Sequence, residues 1–265
     1  MKIHVTDRTN RTKQLIARML LEAADHQPST IWLVTPWLKN VAFDATDLGP
    51  YHSLFGAHRH SVTLLDILGL LSSKHLLQVV VKPPHELVPI PLLERIVTLH
   101  TERAALLAQE LDFDVERTLL NVIDENLSEA RRSFINHADT LMMAEQLAQR
   151  GAQVAFRDAL HAKVLWLPSG ALFGSANFTN GGLSYNAEVI AEVLDDAGMD
   201  ALLGACERIR EESWSRDAYD LANRAQVKAR HTLNSETFFA CANDPHVAND
   251  PSFRPLLEYL GGLYR

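Results

Sequence analysis

Cysteine is nearly absent. Cys206 and Cys241 are the two in 265 residues, too few for a disulfide framework and without the paired spacing of a zinc site, which fits a reducing compartment. No apolar run approaches the roughly 18 residues that a membrane span requires. The segment from Met1 to Ile16, MKIHVTDRTNRTKQLI, has no apolar stretch of the kind that opens a signal peptide. Together these absences predict a cytoplasmic protein that does not enter the membrane. Internal repeats and low-complexity segments are lacking too. So is an excess of positive charge: the formal net charge is -8, which counts against a nucleic-acid binder unless a local groove outweighs the total. One local imbalance runs the other way. Residues 1–18 hold Lys2, Arg8, Arg11, Lys13 and Arg18 against Asp7 alone, a pattern that also suits a solvated first helix.

What is present is enough apolar sequence for a sizeable core. The chain is 47% hydrophobic and 22% charged, which argues against wholesale disorder. Leu15, Ile16, Met19, Leu20 and Ala23 fall at helical spacing and predict an amphipathic helix from about Thr12 to Ala24. Ile31 to Thr35 and Leu76 to Val81 are short apolar runs closed by prolines, expected as buried strands. Ser61 to Ser72 reads as a helix, and Pro91 to Arg150 is almost wholly helical in pattern. Ala152 to Phe156, His161 to Leu167, Ala171 to Ser175 and Ala187 to Leu194 read as strands. Pro168-Ser169-Gly170 turns the middle two into a hairpin. The fold class expected is α/β, a mixed sheet flanked by helices, in a single domain over residues 1–265. It carries a helical insertion at about 85–137 and a helical C-terminal extension at about 197–265.

The informative stretch is His161 to Glu188, HAKVLWLPSGALFGSANFTNGGLSYNAE. Residues two apart on a strand share a face, so His161 and Lys163 are expected to project together, and Ser175 and Asn177 likewise. The hairpin would then gather an imidazole, an ammonium, a hydroxyl and a carboxamide. Lys163 offers charge and donors to phosphate oxygens, and Ser175 and Asn177 add neutral donors. His161 can act as nucleophile or acid–base near neutral pH. Glu188 could hold a histidine ring in one tautomer. The stretch has neither the carboxylate cluster of a magnesium site nor the His/Cys spacing of a zinc site, so no metal and no cofactor is expected.

The same residues resemble the H-x-K…G-S-x-N motif of the phospholipase D superfamily. His161, Lys163, Gly174, Ser175 and Asn177 match in register, and Glu188, eleven residues beyond Asn177, sits where that family's small nucleases place a glutamate. At roughly 5% usage per residue type, six such positions coincide at a rate on the order of 10⁻⁸ per start, so chance does not account for them. Thr35-Pro36-Trp37 is similar to the family's Ser/Thr-Pro-aromatic corner. The resemblance spans about residues 28–82 and 138–195. It departs at one place: the motif's aspartate, five residues after the lysine, is Pro168 here, at a turn position that suits proline.

The resemblance implies a phospholipase D-like fold and a metal-independent phosphodiesterase. Its catalytic set would be His161, Lys163, Ser175, Asn177 and Glu188, acting through a phosphohistidine with a second histidine protonating the leaving oxygen. No second H-x-K occurs; His58-Arg59-His60 and His85-Glu86 do not match. A one-motif chain completes such a site by pairing with a copy of itself, so a homodimer is implied. Nucleic acid is the substrate expected first, cleaved by an endonuclease without choice between DNA and RNA. A phospholipid is the alternative, and a non-catalytic assembly subunit with a residual motif is the third reading. The extra helices suggest a further partner, by analogy an ATPase of an anti-phage or restriction system. Elsewhere the bland readings are preferred: His52, His58 and His60 as a polar loop rather than metal ligands, Trp32, Trp37 and Trp166 as core, Phe178 as packing, and Arg131-Arg132 as a solvated helix face.

Overall fold

Apolar runs of five or six residues bury both of their faces only inside a sheet, and the runs at Ile31 and Leu76 do so as neighbours. The computed structural model describes residues 1–5, 11–56, 61–110, 112–216 and 232–264. Two compact units divide the chain, Met1–Pro83 with Met143–Asp217 and Pro84–Met142 with Ala218–Arg265.

The first unit contains β1 (Lys2–Val5), α1 (Arg11–Ala23), β2 (Thr30–Val34), β3 (Ala42–Asp44), α2 (Ala45–Leu48), β4 (Ser61–Thr63), α3 (Leu64–Ser72) and β5 (Leu76–Val81). The second opens with α4 (Pro84–Leu87) and α5 (Ile90–Leu107), and α6 (Phe113–Gln149) belongs to it as far as Met142. The chain returns to the first unit for β6 (Gln153–Phe156), β7 (Val164–Leu167), β8 (Gly170–Gly174), β9 (Val189–Val193), α7 (Asp196–Glu211) and β10 (Trp214–Ser215). It closes in the second with α8 (Thr232–Ala242), α9 (Pro245–Ala248) and α10 (Arg254–Tyr264).

Eight strands form one sheet in the order β1-β9-β8-β7-β2-β5-β6-β10. β2, β5 and β6 run parallel, with Leu33 beside Val79 and Val79 beside Val154. The other pairs are antiparallel. The sheet is therefore mixed, as the sequence pattern implies. Helices cover both faces. On one, Cys206 of α7 packs on Trp32, Val34, Val80, Ala155 and Val164. On the other, Ile16 of α1 shares a small cavity with Leu172 and Ile190, and Arg18 reaches Glu192.

In the second unit α5 and α6 are tied by Arg103 Nε donating to Asp124 Oδ1 at 2.8 Å. Phe134 meets Phe253 edge to face, and Arg131 pairs with the buried Asp250 while lying over the Phe253 ring. Arg131 is thus committed within the chain and is not part of a solvated face. His100 and His246 stack at 4.5 Å. No helix among the described residues is long and apolar enough to cross a membrane.

Several local expectations are corrected. Ser61 to Ser72 is not all helix: Ser61–Thr63 pairs with β3. Thr63 then caps α3, its side chain accepting from Asp66 N while Asp66 answers on the Thr63 backbone, a reciprocal box that starts the helix at Leu64. The N-terminal residues do not begin a helix either, since Lys2–Val5 is an edge strand on β9. Most of that region's described charge is neutralised within the chain. Lys13 Nζ lies 2.8 Å from the buried Asp47, and Lys2 and Arg18 both approach Glu192. Arg8, His58 and His60 lie outside the described residues. Both cysteines are free and buried, and burial pushes the Cys206 thiol up to about 12, which leaves it unreactive.

Candidate active site

The C-terminal ends of parallel strands are where open α/β sheets collect their ligands. β2, β5 and β6 end at one edge of the sheet. The antiparallel register brings the starts of β7 and β9 and the end of β8 to the same edge, with Val164 beside both Val34 and Phe173 and Gly174 beside Ile190. All five candidate residues lie there, in the segments just outside the strands.

His161 and Lys163 precede β7 and do not lie on it. The ladder begins at Val164, where pairing with both β2 and β8 begins. Their juxtaposition therefore comes from the connection after β6 and not from strand alternation. Ala159 in that connection has φ 52°, a conformation that costs a residue bearing a Cβ. The imidazole of His161 is exposed and the Lys163 side chain is buried beneath it. Lys163 Nζ donates to the His161 carbonyl at 2.7 Å and lies 3.5 Å from His161 Nδ1. Burial holds the Lys163 ammonium below the usual lysine range; the Glu188 carboxylate opposes that shift and the Lys82 charge adds to it.

Ser175 follows β8 and Glu188 precedes β9, so the β8–β9 register brings them together. The Ser175 hydroxyl donates to Glu188 Oε2, Val189 N donates to Ser175 Oγ at 3.0 Å, and Asn186 Nδ2 donates to Glu188 Oε1 at 3.4 Å. Ser175 and Asn186 are thus the described hydrogen-bond partners of the Glu188 carboxylate; the His161 ring of the same chain is not among them. Asn177 stands two residues beyond Ser175. Its carboxamide Oδ1 is buried without a hydrogen bond among the described residues, and no described contact joins it to the other four.

Two glycines make the close approaches possible. A Cβ on Gly174 would fall 2.1 Å from Val189 O, and one on Gly182 would fall 2.3 Å from Asn177 O. Gly174→Ala should therefore push β8 away from β9 and destabilise the fold by about 1–3 kcal/mol. Denaturant unfolding checks this; an unchanged midpoint would show that the strands separate at no cost.

Lys82 is a member of the site that sequence reasoning missed. It follows β5 at the same edge, acts electrostatically on Lys163 and sits 5.9 Å from the centre of the Trp37 ring. Its signal in the sequence is slight, a lysine closing an apolar run before Pro83-Pro84. Trp37 is half-buried beside the mouth, in the corner where Thr35 Oγ1 donates to Trp37 O at 2.9 Å. Lys39 N donates to Phe178 O at 2.8 Å, joining that corner to the loop after β8. Among the described residues, no group of three His, Cys, Asp or Glu is arranged to hold a metal ion.

No family model and no curated protein matches the sequence. Among solved structures, the chain is similar to Nuc, a phospholipase D family member from Salmonella typhimurium, at 10% identity over 81% of this chain and 97% of that one, with a TM-score of 0.43. It is similar to NucT from Helicobacter pylori at 10% identity over the same shares, with a TM-score of 0.40. A third likeness, at 10% identity over 81% of this chain and 54% of the other and a TM-score of 0.35, is to TrmBL2, an archaeal chromatin protein whose structure shows a novel mode of DNA binding. Likeness of this degree concerns the course of the chain and says nothing of what it binds or cleaves.

Proposed function

We propose that this chain is a nuclease, a phosphodiesterase that needs no metal ion, forms a phosphohistidine at His161 and completes its site with a second copy of itself. The observation that carries the reading is an exposed imidazole placed directly over a buried lysine, within the H-x-K…G-S-x-N spacing. A cationic donor set of this kind suits a phosphodiester. The ammonium has three donors, one of them used on the His161 carbonyl, and the Asn177 carboxamide adds neutral ones, while the single donor of the Ser175 hydroxyl is given to Glu188. Lys82 beside the Trp37 ring adds a charge and an aromatic surface of the kind that tracks a nucleic-acid strand.

In the reaction a ring nitrogen of His161 attacks phosphorus. A P–N bond forms as the bond to the leaving oxygen breaks, and that oxygen takes a proton from the imidazolium of the second copy's histidine. Water then attacks phosphorus and gives its proton to the now neutral second histidine. The P–N bond breaks and His161 is free again. Lys163 offsets charge on the phosphoryl oxygens through both steps. The Ser175–Glu188 pair holds the loops after β8 and before β9 in place.

Incubation of the purified protein with labelled DNA, RNA and phospholipid, with and without excess EDTA, tests this. Nucleic acid should be cleaved equally in chelator and phospholipid left intact. Complete loss of cleavage in EDTA, restored by magnesium or manganese, would overturn the mechanism, and cleavage of phospholipid alone would overturn the substrate class.

A further inference from the structure

The first turns of α6 carry a line of apolar residues that stays open to solvent. Val115 is 50% exposed, Leu119 43% and Val122 51%. Steps of four and then three residues set them in one row along the helix, the spacing of a coiled-coil seam. Asn126 takes the next step of four, and its carboxamide donates to Val122 O at 2.9 Å. A single polar residue in such a seam fixes register at some cost in stability. The inner side of the same helix is a different stripe, where Leu127, Ala130 and Phe134 are buried. α6 therefore carries more apolar surface than its own packing uses.

Negative charge borders the open row. Over residues 107–129, Glu110, Asp112, Asp114, Glu116, Asp124, Glu125 and Glu129 stand against Arg117 alone, a net of -6 where the whole chain carries -8. Part of this serves the helix. Asp112 Oδ1 accepts from Asp114 N at 3.0 Å, Asp114 and Glu116 sit in the first turn, where the helix dipole favours them, and Asp124 pairs with Arg103. Glu125 and Glu129 have no such use. Both are exposed, they lie four apart, where like charges repel, and no ion pair joins either to a described residue. They share a shallow depression with Asn121, Asp124, Ser128 and Arg132. Glu125 flanks the seam and Glu129 ends it.

We infer that this row is a docking surface for a basic amphipathic helix of another protein, seated on Val115, Leu119 and Val122 with its lysines or arginines against Glu125 and Glu129. Charge complementarity selects the occupant, because the charges beside a coiled-coil seam choose its partner. A second copy would set acid against acid. Nucleic acid and an anionic membrane would be repelled in the same way. The surface lies wholly within the second unit, and docking there does not depend on the nuclease reading.

The test uses the full chain and two fluorescein-labelled synthetic peptides of three heptads. Both have leucine at the seam positions; one has lysine and the other glutamate at the flanking positions. Fluorescence anisotropy measures binding and circular dichroism checks folding. The lysine peptide should bind the wild type at least about tenfold more tightly than the glutamate peptide, a comparison that needs no variant. Leu119→Asp/Val122→Asp should weaken binding of the lysine peptide at least about tenfold, although it adds negative charge. Glu125→Lys/Glu129→Lys should reverse the preference. Glu207→Lys/Glu211→Lys, at exposed positions of α7, changes the net charge equally and should leave the preference unmoved. Binding of neither peptide, equal binding of both, or an α7 effect as large as the α6 effect would overturn the docking surface. So would sedimentation showing wild-type chains paired through this row, with the pairing lost in Leu119→Asp/Val122→Asp. Binding of phosphatidylserine vesicles that the same variant abolishes would overturn it too.

Discussion

His161→Ala should reduce cleavage to background with the fold intact. In the proposed reaction one His161 is the nucleophile and its copy the general acid, so the single substitution removes both. General acid–base catalysis alone contributes roughly 10²–10⁴-fold, and loss of the P–N bond-forming step adds to that. Because the imidazole is exposed, its removal leaves no cavity and stability should barely change. Mixing tests the sharing of the site. Heterodimers of wild type and His161→Ala hold one histidine and should be inactive, so activity should fall more steeply than in proportion to the wild-type fraction. A proportional decline, with subunit exchange confirmed, would show that each chain holds a complete site. Pro168→Asp serves as the control. It restores the residue type of the resembled motif at the β7–β8 turn and should leave cleavage intact.

The second large effect is expected at Lys163. Lys163→Met should lower kcat/KM by about 3–4 kcal/mol of transition-state stabilisation, in the range lost with one preorganised donor to developing charge. It also releases the His161 carbonyl, which the ammonium holds at 2.7 Å, so nucleophile and charge are disturbed together. In the proposed reaction Lys163 works as the ammonium and should set an alkaline limit, because burial lowers its pKa from the ordinary value of 10.5. Activity should therefore fall with rising pH before an ordinary lysine titrates. Glu188 favours the charged form and Lys82 disfavours it. Glu188→Gln should accordingly move the alkaline limb of the kcat/KM profile to lower pH and Lys82→Gln to higher pH. Movement in the opposite directions would show that another group sets the limb.

Much of the fold is legible in local pattern. The runs at Ile31 and Leu76 read as buried strands, and they are the neighbouring strands β2 and β5 inside the sheet. The prolines after them mark where each ladder stops. Leu15, Ile16, Met19, Leu20 and Ala23 lie on the buried side of α1. The first and fourth short strands were not legible, because Lys2–Val5 and Ser61–Thr63 are too brief and too polar for alternation to stand out. Each exists through its partner, β9 or β3, which pattern does not reveal. Trp32 is core, but Trp37 is half-buried at the mouth. Two tryptophans five residues apart look alike in sequence and differ only in whether a strand or a corner carries them.

By itself the sequence determined which chemical groups are available and in what order: an imidazole and an ammonium two residues apart, then a hydroxyl and a carboxamide two apart beyond a turn, then a carboxylate. Those are residue types at spacings, and spacing along the chain is local information. Only the tertiary structure decided what each group touches. Lys163 is buried and grips the carbonyl of His161 because the ladder starts after it. Glu188 meets Ser175 because β8 and β9 pair in one particular register. Lys82 arrives from a strand about eighty residues earlier because β5 ends at the same edge. Each of these depends on pairing between distant segments, which is set by the total burial of the sheet and not by the preferences of any one stretch.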